Sequence, residues 1–383
     1  MNHRKLGRTS MMVSEVGLGC EHLQGQPYEN VKAVIDAALE GGINILDIFM
    51  SEPQVRTDIG RALAGRREKV ILQGHIGAAW KNGQYCRTRD PEEVKFFFED
   101  FLSRLQTNYV DIGMIHFVDT DADYDAVFKT SLIEYCVELK KKGVIKALGM
   151  SSHSPIQALK AVKTGLIDVL MFSINPAYDI MPEDMELSNL YKAESYQNDD
   201  VNGTNPVRAE LYRTCEALGV GITVMKSLAA GALLDAKTSP FGMALTPVQC
   251  IHYALTRPAV ASVMYGSRSP EEVAASLKYE SSTEEERDYS LALSQTPKYS
   301  IKGKCMYCNH CLPCPSMIDI AQVNKYLDLA EISGEVPETV KEHYLALDQH
   351  ASDCIACGSC ESNCPFSVQV IERMKKAKEV FGQ

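Results

Sequence analysis

The sequence lacks an excess of positive charge. Its 39 lysines and arginines are outnumbered by 50 aspartates and glutamates, a net charge of −11. A nucleic-acid partner and an anionic membrane surface are therefore not expected. It lacks an apolar run long enough to span a bilayer. The opening stretch MNHRKLGRTSMMVSEVGLGC has no apolar core leading to a cleavage site, so a cytoplasmic location is expected. No G-x-G-x-x-G follows a predicted strand, which weakens a doubly wound dinucleotide fold. Tyrosine is missing from one long stretch too: none occurs between Tyr28 and Tyr85.

Cysteine, by contrast, is plentiful and uneven. Of 13 cysteines, Cys20, Cys86, Cys136, Cys215 and Cys250 are scattered singly and read as small buried hydrophobes. The remaining eight fall in the last eighty residues. In a long cytoplasmic chain such a cluster points to metal ligation rather than disulfides. The shift in composition sets an expected boundary near residue 295, giving domains 1–295 and 296–383. Cys305, Cys308, Cys311 and Cys314 precede Pro315; Cys354, Cys357, Cys360 and Cys364 precede Pro365. Thiolates two residues apart converge on one centre, while the fourth, held by proline, points away. Zinc is the alternative for paired Cys-x-x-Cys. The order and the closing prolines resemble a bacterial two-[4Fe–4S] ferredoxin domain. The departure is the last gap of the first motif, one residue short. The resemblance implies crossed ligation. Cys305, Cys308, Cys311 and Cys364 would hold one cluster, and Cys354, Cys357, Cys360 and Cys314 the other. Between the motifs, MIDIAQVNKYLDLAEI and PETVKEHYLALDQHA read as helices.

Residues 13–280 alternate short β-branched runs with longer helical stretches. The candidate strands are VSEVGLG, GINILD, KVILQG, YVDIGMIH, IKALGMS, DVLMFSIN, VGITVM and VASVMYG. Helix starts are marked by Asp90-Pro91 with Glu93, Thr246-Pro247, and Ser269-Pro270 with Glu272. Eight β-α units predict a closed (β/α)₈ TIM barrel, an α/β fold, with a small C-terminal iron–sulfur domain. In such barrels the chemistry sits at the C-terminal strand ends. Those ends read Cys20-Glu21-His22, Asp47, His75, His116, Ser151-Ser152-His153, Asn175, Lys226 and Gly266-Ser267-Arg268. Four of the nine histidines lie there, which favours a reactive rim over structural imidazoles.

HRKLGRTSMMVSEVGLG resembles the start of aldo-keto reductases, where a hairpin plugs the barrel bottom. GGINILDIF, YVDIGMIH, KKKGVIKALGMSSHS and VMYGSRSPEEVAASL resemble later segments of that family in the right order, over about residues 3–280. The resemblance implies nicotinamide-dependent carbonyl reduction with a tyrosine proton donor. A lysine and an aspartate tune that tyrosine, and a histidine orients the carbonyl. Here only half of the set matches: Asp47 is the aspartate and His116 the histidine. The tyrosine slot holds Glu52, the lysine slot holds His75, and Lys81 lies six residues on. An unperturbed tyrosine titrates near pH ~10, so without the lysine a phenol is a poor acid. The cofactor-pocket matches are Ser151-Ser152, Asn175, Lys226, Gly266, Ser267 and Arg268. Arg268 is placed for a 2′-phosphate, but Glu272 and Ser276 occupy neighbouring slots, and a carboxylate beside a phosphate is unfavourable.

A hydride carries two electrons, whereas a cluster passes one. A rim without the phenol–lysine pair, joined to two clusters, suggests one-electron chemistry on a small organic substrate. His116, His75, Asp47 and Glu52 are the expected catalytic residues. His116 would polarise the carbonyl, and His75 would be the replacement acid. The electron donor expected is a ferredoxin or flavodoxin; NAD(P)H or a flavin is a further cofactor candidate, the latter held at GSRS with Lys226. Three other readings stand beside this one. They are an ordinary NAD(P)H carbonyl reductase with substituted acids, a divalent-metal isomerase or lyase built on Glu21, His22, Asp47, Glu52, His75 and His116, and a non-catalytic electron-transfer subunit. The polar stretch YDIMPEDMELSNLYKAESYQNDDVNGT reads as a lid, and RMKKAKEVF as a short basic helix.

Overall fold

In the computed structural model the described residues are 1–179, 205–239, 241–289, 303, 305, 311–331, 336, 338–364 and 367–383. The stretch read as a lid lies outside them beyond Asp179, as do Cys308 and Pro365. The chain divides into two compact units, Met1–Trp80 with Arg87–Lys298, and Lys81–Cys86 with Tyr299–Gln383.

The first unit is the expected barrel. Its strands are β3 (Val16–Gly19), β4 (Ile45–Ile48), β5 (Ile71–Ile76), β8 (Val110–Ile115), β9 (Ile145–Ser152), β10 (Val169–Ser173), β11 (Gly221–Met225) and β12 (Val260–Gly266). They close into one parallel barrel in that order. Their residues are buried almost throughout, as expected for strands covered on both faces. Register brings Asp47 opposite Gln73 and His75 opposite Met114, so polar groups of adjacent strands share one level of the rim.

The barrel floor is closed by a hairpin, β1 (His3–Lys5) and β2 (Met12–Ser14). Leu6 and Val13 from it join Ile45, Ile112, Met114, Val169 and Met264 in the interior cluster. The turn demands glycine: Gly7 has φ +53°, and a Cβ on it would lie 2.3 Å from the Gly221 amide nitrogen. A second, larger cluster fills the layer between strands and helices. Helix starts follow the chemistry of the sequence. Asp90 caps Pro91–Arg104, Thr246 and Gln249 form a capping box on Pro247–Leu255, and Ser269 caps Pro270–Ser281.

Two short strands interrupt the alternation. β6 (Ala78–Lys81) and β7 (Gln84–Arg87) form a hairpin directly after β5. Its Asn82-Gly83 turn has φ of 52° and 77°, the left-handed values that a two-residue turn requires.

In the second unit, helix Ile320–Glu331 packs on helix Val370–Phe381. Arg373 ties them, donating to the Asn324 carbonyl at 3.3 Å and pairing with Asp328. Tyr344 is fully buried, stacks on Phe381 with centroids 4.0 Å apart, and accepts the Ala351 amide at 2.9 Å. Among the described residues no helix is long and apolar enough to cross a membrane.

Candidate active site and cysteine pocket

Successive residues of a strand point to opposite faces, so Gln73 and His75 on β5 look the same way. Asp47 on β4 meets both. Gln73 Nε2 donates to Asp47 Oδ1 at 2.6 Å, and His75 Nε2 lies 3.0 Å from the same oxygen. Thr223 Oγ1 donates to Gln73 Oε1 at 3.0 Å, which fixes the orientation of the amide. His75 Nδ1 lies 2.8 Å from Nδ1 of His116, the residue after β8. The rings are near-perpendicular, with centroids 4.9 Å apart. Phe49 stacks on His116 at 5.9 Å and meets His75 edge-on at 6.1 Å. Asp47, His75 and His116 are each about 3 % exposed, so the chain of bonds runs in a dry setting.

With Asp47 taken as a carboxylate, which can only accept, the polarity of this chain follows. Asp47 accepts from His75 Nε2–H, so in the neutral pair His75 Nδ1 must accept from His116 Nδ1–H. His116 Nε2 is then a base. A proton added there lets the Nδ1 proton shift to His75, whose positive ring faces the Asp47 carboxylate. His116 Nε2–H then becomes an acid. The pair is thus a proton switch between carboxylate and rim.

Burial, and then the charges of His75, Arg89, Arg87 and His153, hold the His116 imidazole well below its ordinary value. The unfolded chain binds a proton near pH ~6.5 that the folded chain refuses. Stability from the neutral ring is present above about pH 6.5 and is lost as pH falls below it, by up to about 1.4 kcal/mol per pH unit. Thermal unfolding between about pH 7.5 and about pH 5 should show this slope, and His116→Gln should flatten it. An unchanged slope would remove His116 as its source.

The strand ends beyond β8 form a second layer. Arg89 Nη2 donates to the carbonyls of His116 at 2.8 Å and Phe117 at 2.6 Å. Ser151 Oγ accepts the Phe117 amide at 2.8 Å, fixing a residue with φ of 56°. His153 Nδ1 lies 2.8 Å from Asp119 Oδ2, and Ser152 Oγ donates to Asp119 Oδ1 at 3.0 Å. Against the burial that would raise it, His153 and Ser152 hold the Asp119 carboxyl below its usual range.

Glu52 stands apart. It caps helix Pro53–Ala62, accepting the amides of Gln54 at 2.9 Å and Val55 at 2.6 Å. Both of its oxygens are engaged in starting that helix. In the barrel unit, the ring contacts of lysine with tyrosine among the described residues are Lys146 over Tyr109 and Lys160 over Tyr124. Neither pair belongs to the Asp47–His75–His116 network.

On the other side of the rim, Asn175 Nδ2 donates to the Lys226 carbonyl at 2.8 Å. Lys226, His22 and Arg268 surround Glu21; opposing the burial that would raise it, their charges lower its carboxyl. Gly266 is needed here, since a Cβ on it would lie 2.9 Å from the His22 ring. Ser267 is buried. The Arg268 amide donates to Glu272 Oε2 at 2.7 Å. A carboxylate therefore occupies the amide that a phosphate at this loop would take.

In the second unit, Cys314, Cys354, Cys357 and Cys360 line one pocket with Ile318, Ile320, Val370 and Met374. Three cysteines of the second motif and the last of the first are brought together. Among the described residues no three His, Cys, Asp or Glu side chains are arranged to hold a single ion. A pocket lined by cysteines of both motifs fits the crossed ligation of a [4Fe–4S] cluster. Cys305, Cys311 and Cys364 are half-buried or buried, and no described pocket gathers them. The scattered Cys20, Cys86, Cys136, Cys215 and Cys250 are all buried.

The sequence places His153 at a strand end, but it does not single out Gln73, Thr223, Phe49, Arg89 or Asp119. Gln73 was findable, because it precedes His75 by two positions on a strand.

The comparisons with known proteins agree with this architecture. Residues 15–248 match the Aldo/keto reductase family, and residues 304–369 match a 4Fe-4S dicluster domain. An uncharacterized oxidoreductase, YqkF of Bacillus subtilis, is 31 % identical over 287 residues, covering 71 % of this chain and 89 % of its own. The NADH-specific methylglyoxal reductase of Escherichia coli is 26 % identical over 201 residues, covering 47 % of this chain and 60 % of its own. The holo form of aldo-keto reductase AKR11C1 from Bacillus halodurans superposes with a TM-score of 0.61 at 24 % identity. That likeness covers 78 % of this chain and 98 % of that one, and speaks for the fold. The chain is therefore an oxidoreductase that belongs to the aldo/keto reductase family and carries a 4Fe-4S dicluster domain after its barrel.

Proposed function

We propose that the barrel rim reduces a small carbonyl compound, in the reversible direction oxidises the alcohol, and exchanges electrons one at a time with its own C-terminal domain. The observation that carries this reading is the 2.8 Å imidazole–imidazole hydrogen bond that joins His116, the match to the family histidine, to His75, which stands in the lysine slot. Reduction of C=O to CH–OH takes two electrons and two protons. The clusters held by Cys305, Cys308, Cys311 and Cys364, and by Cys354, Cys357, Cys360 and Cys314, would supply single electrons when bound. The second proton, on carbon, comes from solvent water, and His116 gives the oxygen its proton from Nε2. His75 replaces it through Nδ1, and Asp47 stabilises the charged intermediate state of the pair. Gln73 and Thr223 hold Asp47 in place. Lys226, Ser267 and Arg268 are left to orient an anionic portion of substrate or of a second cofactor, with Asn175 fixing the Lys226 backbone.

A nicotinamide-linked reading draws on the NADH-specific relative. The carboxylate of Glu272 on the Arg268 amide speaks against a 2′-phosphate, and so against NADPH more than NADH. Anaerobically purified protein separates the two. Iron, flavin and other metals are measured on one sample, and carbonyl reduction is followed with reduced viologen, NADH or NADPH. The expected result is about eight irons per chain and turnover with viologen. Equal turnover by NADH in protein stripped of iron would defeat the proposal.

A further inference from the structure

The tip of hairpin β6–β7, Lys81–Cys86, is part of the cysteine-bearing unit. There Gln84, 8 % exposed, accepts the backbone N–H of Cys314 on Oε1 at 2.7 Å. Its amide nitrogen faces the Met317 sulfur. Met317 has φ of 60° and donates its own amide to the Cys314 carbonyl at 2.9 Å, closing a turn. Gly83 lies against the same methionine, since a Cβ on it would sit 3.4 Å from Met317 Cε. One glutamine thus holds the Cys314–Met317 turn from a segment more than two hundred residues away in sequence.

Cys314 is one of the four cysteines lining the pocket. The potential of an iron–sulfur centre depends on hydrogen bonds to its sulfurs, on local charge and on solvent access. A backbone amide of the ligand loops already donates to sulfur, Ala356 N–H to Cys354 Sγ at 3.4 Å. Gln84 takes another, the Cys314 N–H, and gives it an oxygen instead of a sulfur. We propose that Gln84 is a positioning residue for the cluster of Cys314, Cys354, Cys357 and Cys360, so that the segment leaving the His75 strand sets that cluster's potential. This rests on the cluster reading of the cysteines. The chain order is suggestive: β5 carries His75, turns at Gly77 and runs straight into the hairpin that carries Gln84.

The test uses full-length protein, reconstituted anaerobically and titrated potentiometrically under electron paramagnetic resonance. Gln84→Leu removes the acceptor and frees the Cys314 N–H to turn toward sulfur. One of the two midpoint potentials is expected to rise while the other stays, or that cluster alone is lost and iron falls by half. Gln84→Glu keeps an acceptor oxygen and adds a negative charge. It should keep both clusters and move the same potential downward. Opposite shifts from two variants at one position are not what a merely structural residue gives. Should Gln84→Leu fail to fold, Gln84→Glu still decides the matter, since an unmoved potential there overturns the proposal. Unchanged potentials in an eight-iron Gln84→Leu protein, or equal shifts of both clusters, overturn the role of Gln84 alone. A wild-type protein that takes up no iron–sulfur cluster brings down the cysteine reading and this inference with it.

Discussion

Replacing His116 by glutamine is expected to lower kcat/KM for carbonyl reduction by about 10²–10⁴-fold, the usual range for removing a positioned general acid. Glutamine keeps the volume and one donor, but cannot pass a proton from one side to the other. His75→Gln should cost a comparable amount although it leaves His116 in place. Without His75 the Nδ1 side of His116 has no partner that can take and return a proton against Asp47, which lies 3.0 Å from His75. Residues acting as one unit are not additive, so the double variant should be little worse than either single one. Independent losses that multiply would show that the imidazoles act separately.

The pH profile carries the same logic. The acid form of the switch holds one proton more than the neutral pair. Reduction should therefore fall as pH rises past the apparent ionisation of the pair, by about tenfold per pH unit, and oxidation should fall in the acid direction. The titration belongs to the pair and not to either ring. Burial and neighbouring positive charge disfavour a proton on His116, so the electrostatic preference for a protonated pair comes from the Asp47 carboxylate, 3.0 Å from His75 Nε2. Asp47→Asn should abolish that preference and move the alkaline limb to lower pH. A limb that stays in place would mean the carboxylate does not stabilise the charged pair.

The barrel was legible because its strands are covered on both faces and so read as short, nearly continuous apolar runs. KVILQG and YVDIGMIH became β5 and β8 with little change of boundary. The rim was legible because strand ends concentrate polar residues that a core does not tolerate. What sequence reading passed over has specific causes. Asn82-Gly83 between AAWK and QYCR is the strongest short hairpin signal known, yet it interrupts a βα alternation that had set the expectation. Gln73 and Thr223 lie inside strands, where a polar residue suggests nothing until its strand neighbours are placed. Glu52 was chosen by its distance from Asp47, while the following proline already marked it as a helix cap. A (β/α)₈ barrel makes the third and fourth strands neighbours, but the His75–His116 hydrogen bond depends on side-chain register that the sequence pattern does not fix.

Cys314→Ser is expected to destroy the cluster of the second motif and to spare the cluster of its own. The reason is spatial: Cys314 shares its pocket with Cys354, Cys357 and Cys360. Cys314→Ser and Cys360→Ser should each leave about four irons and the same residual paramagnetic signal. The combination of the two should still leave about four, because both remove ligands from one site. Cys311→Ser and Cys364→Ser should give the complementary signal. If ligation followed sequence order instead, Cys314→Ser and Cys360→Ser would damage different clusters, and their combination would leave almost no iron. The double variant separates the two schemes without any assumption about substrate. It also reaches the chemistry of the rim. With either cluster gone, a two-electron reduction fed by single electrons loses one of its two stores, and viologen-driven turnover should drop to background. Persistence of full turnover in the four-iron double variant would mean that one cluster suffices and that the other serves the fold alone. The apolar ring of Ile318, Ile320, Val370 and Met374 makes that test sharper. An emptied hollow lined this way loses packing as well as a ligand set, so unfolding of the variant should be followed on the same sample.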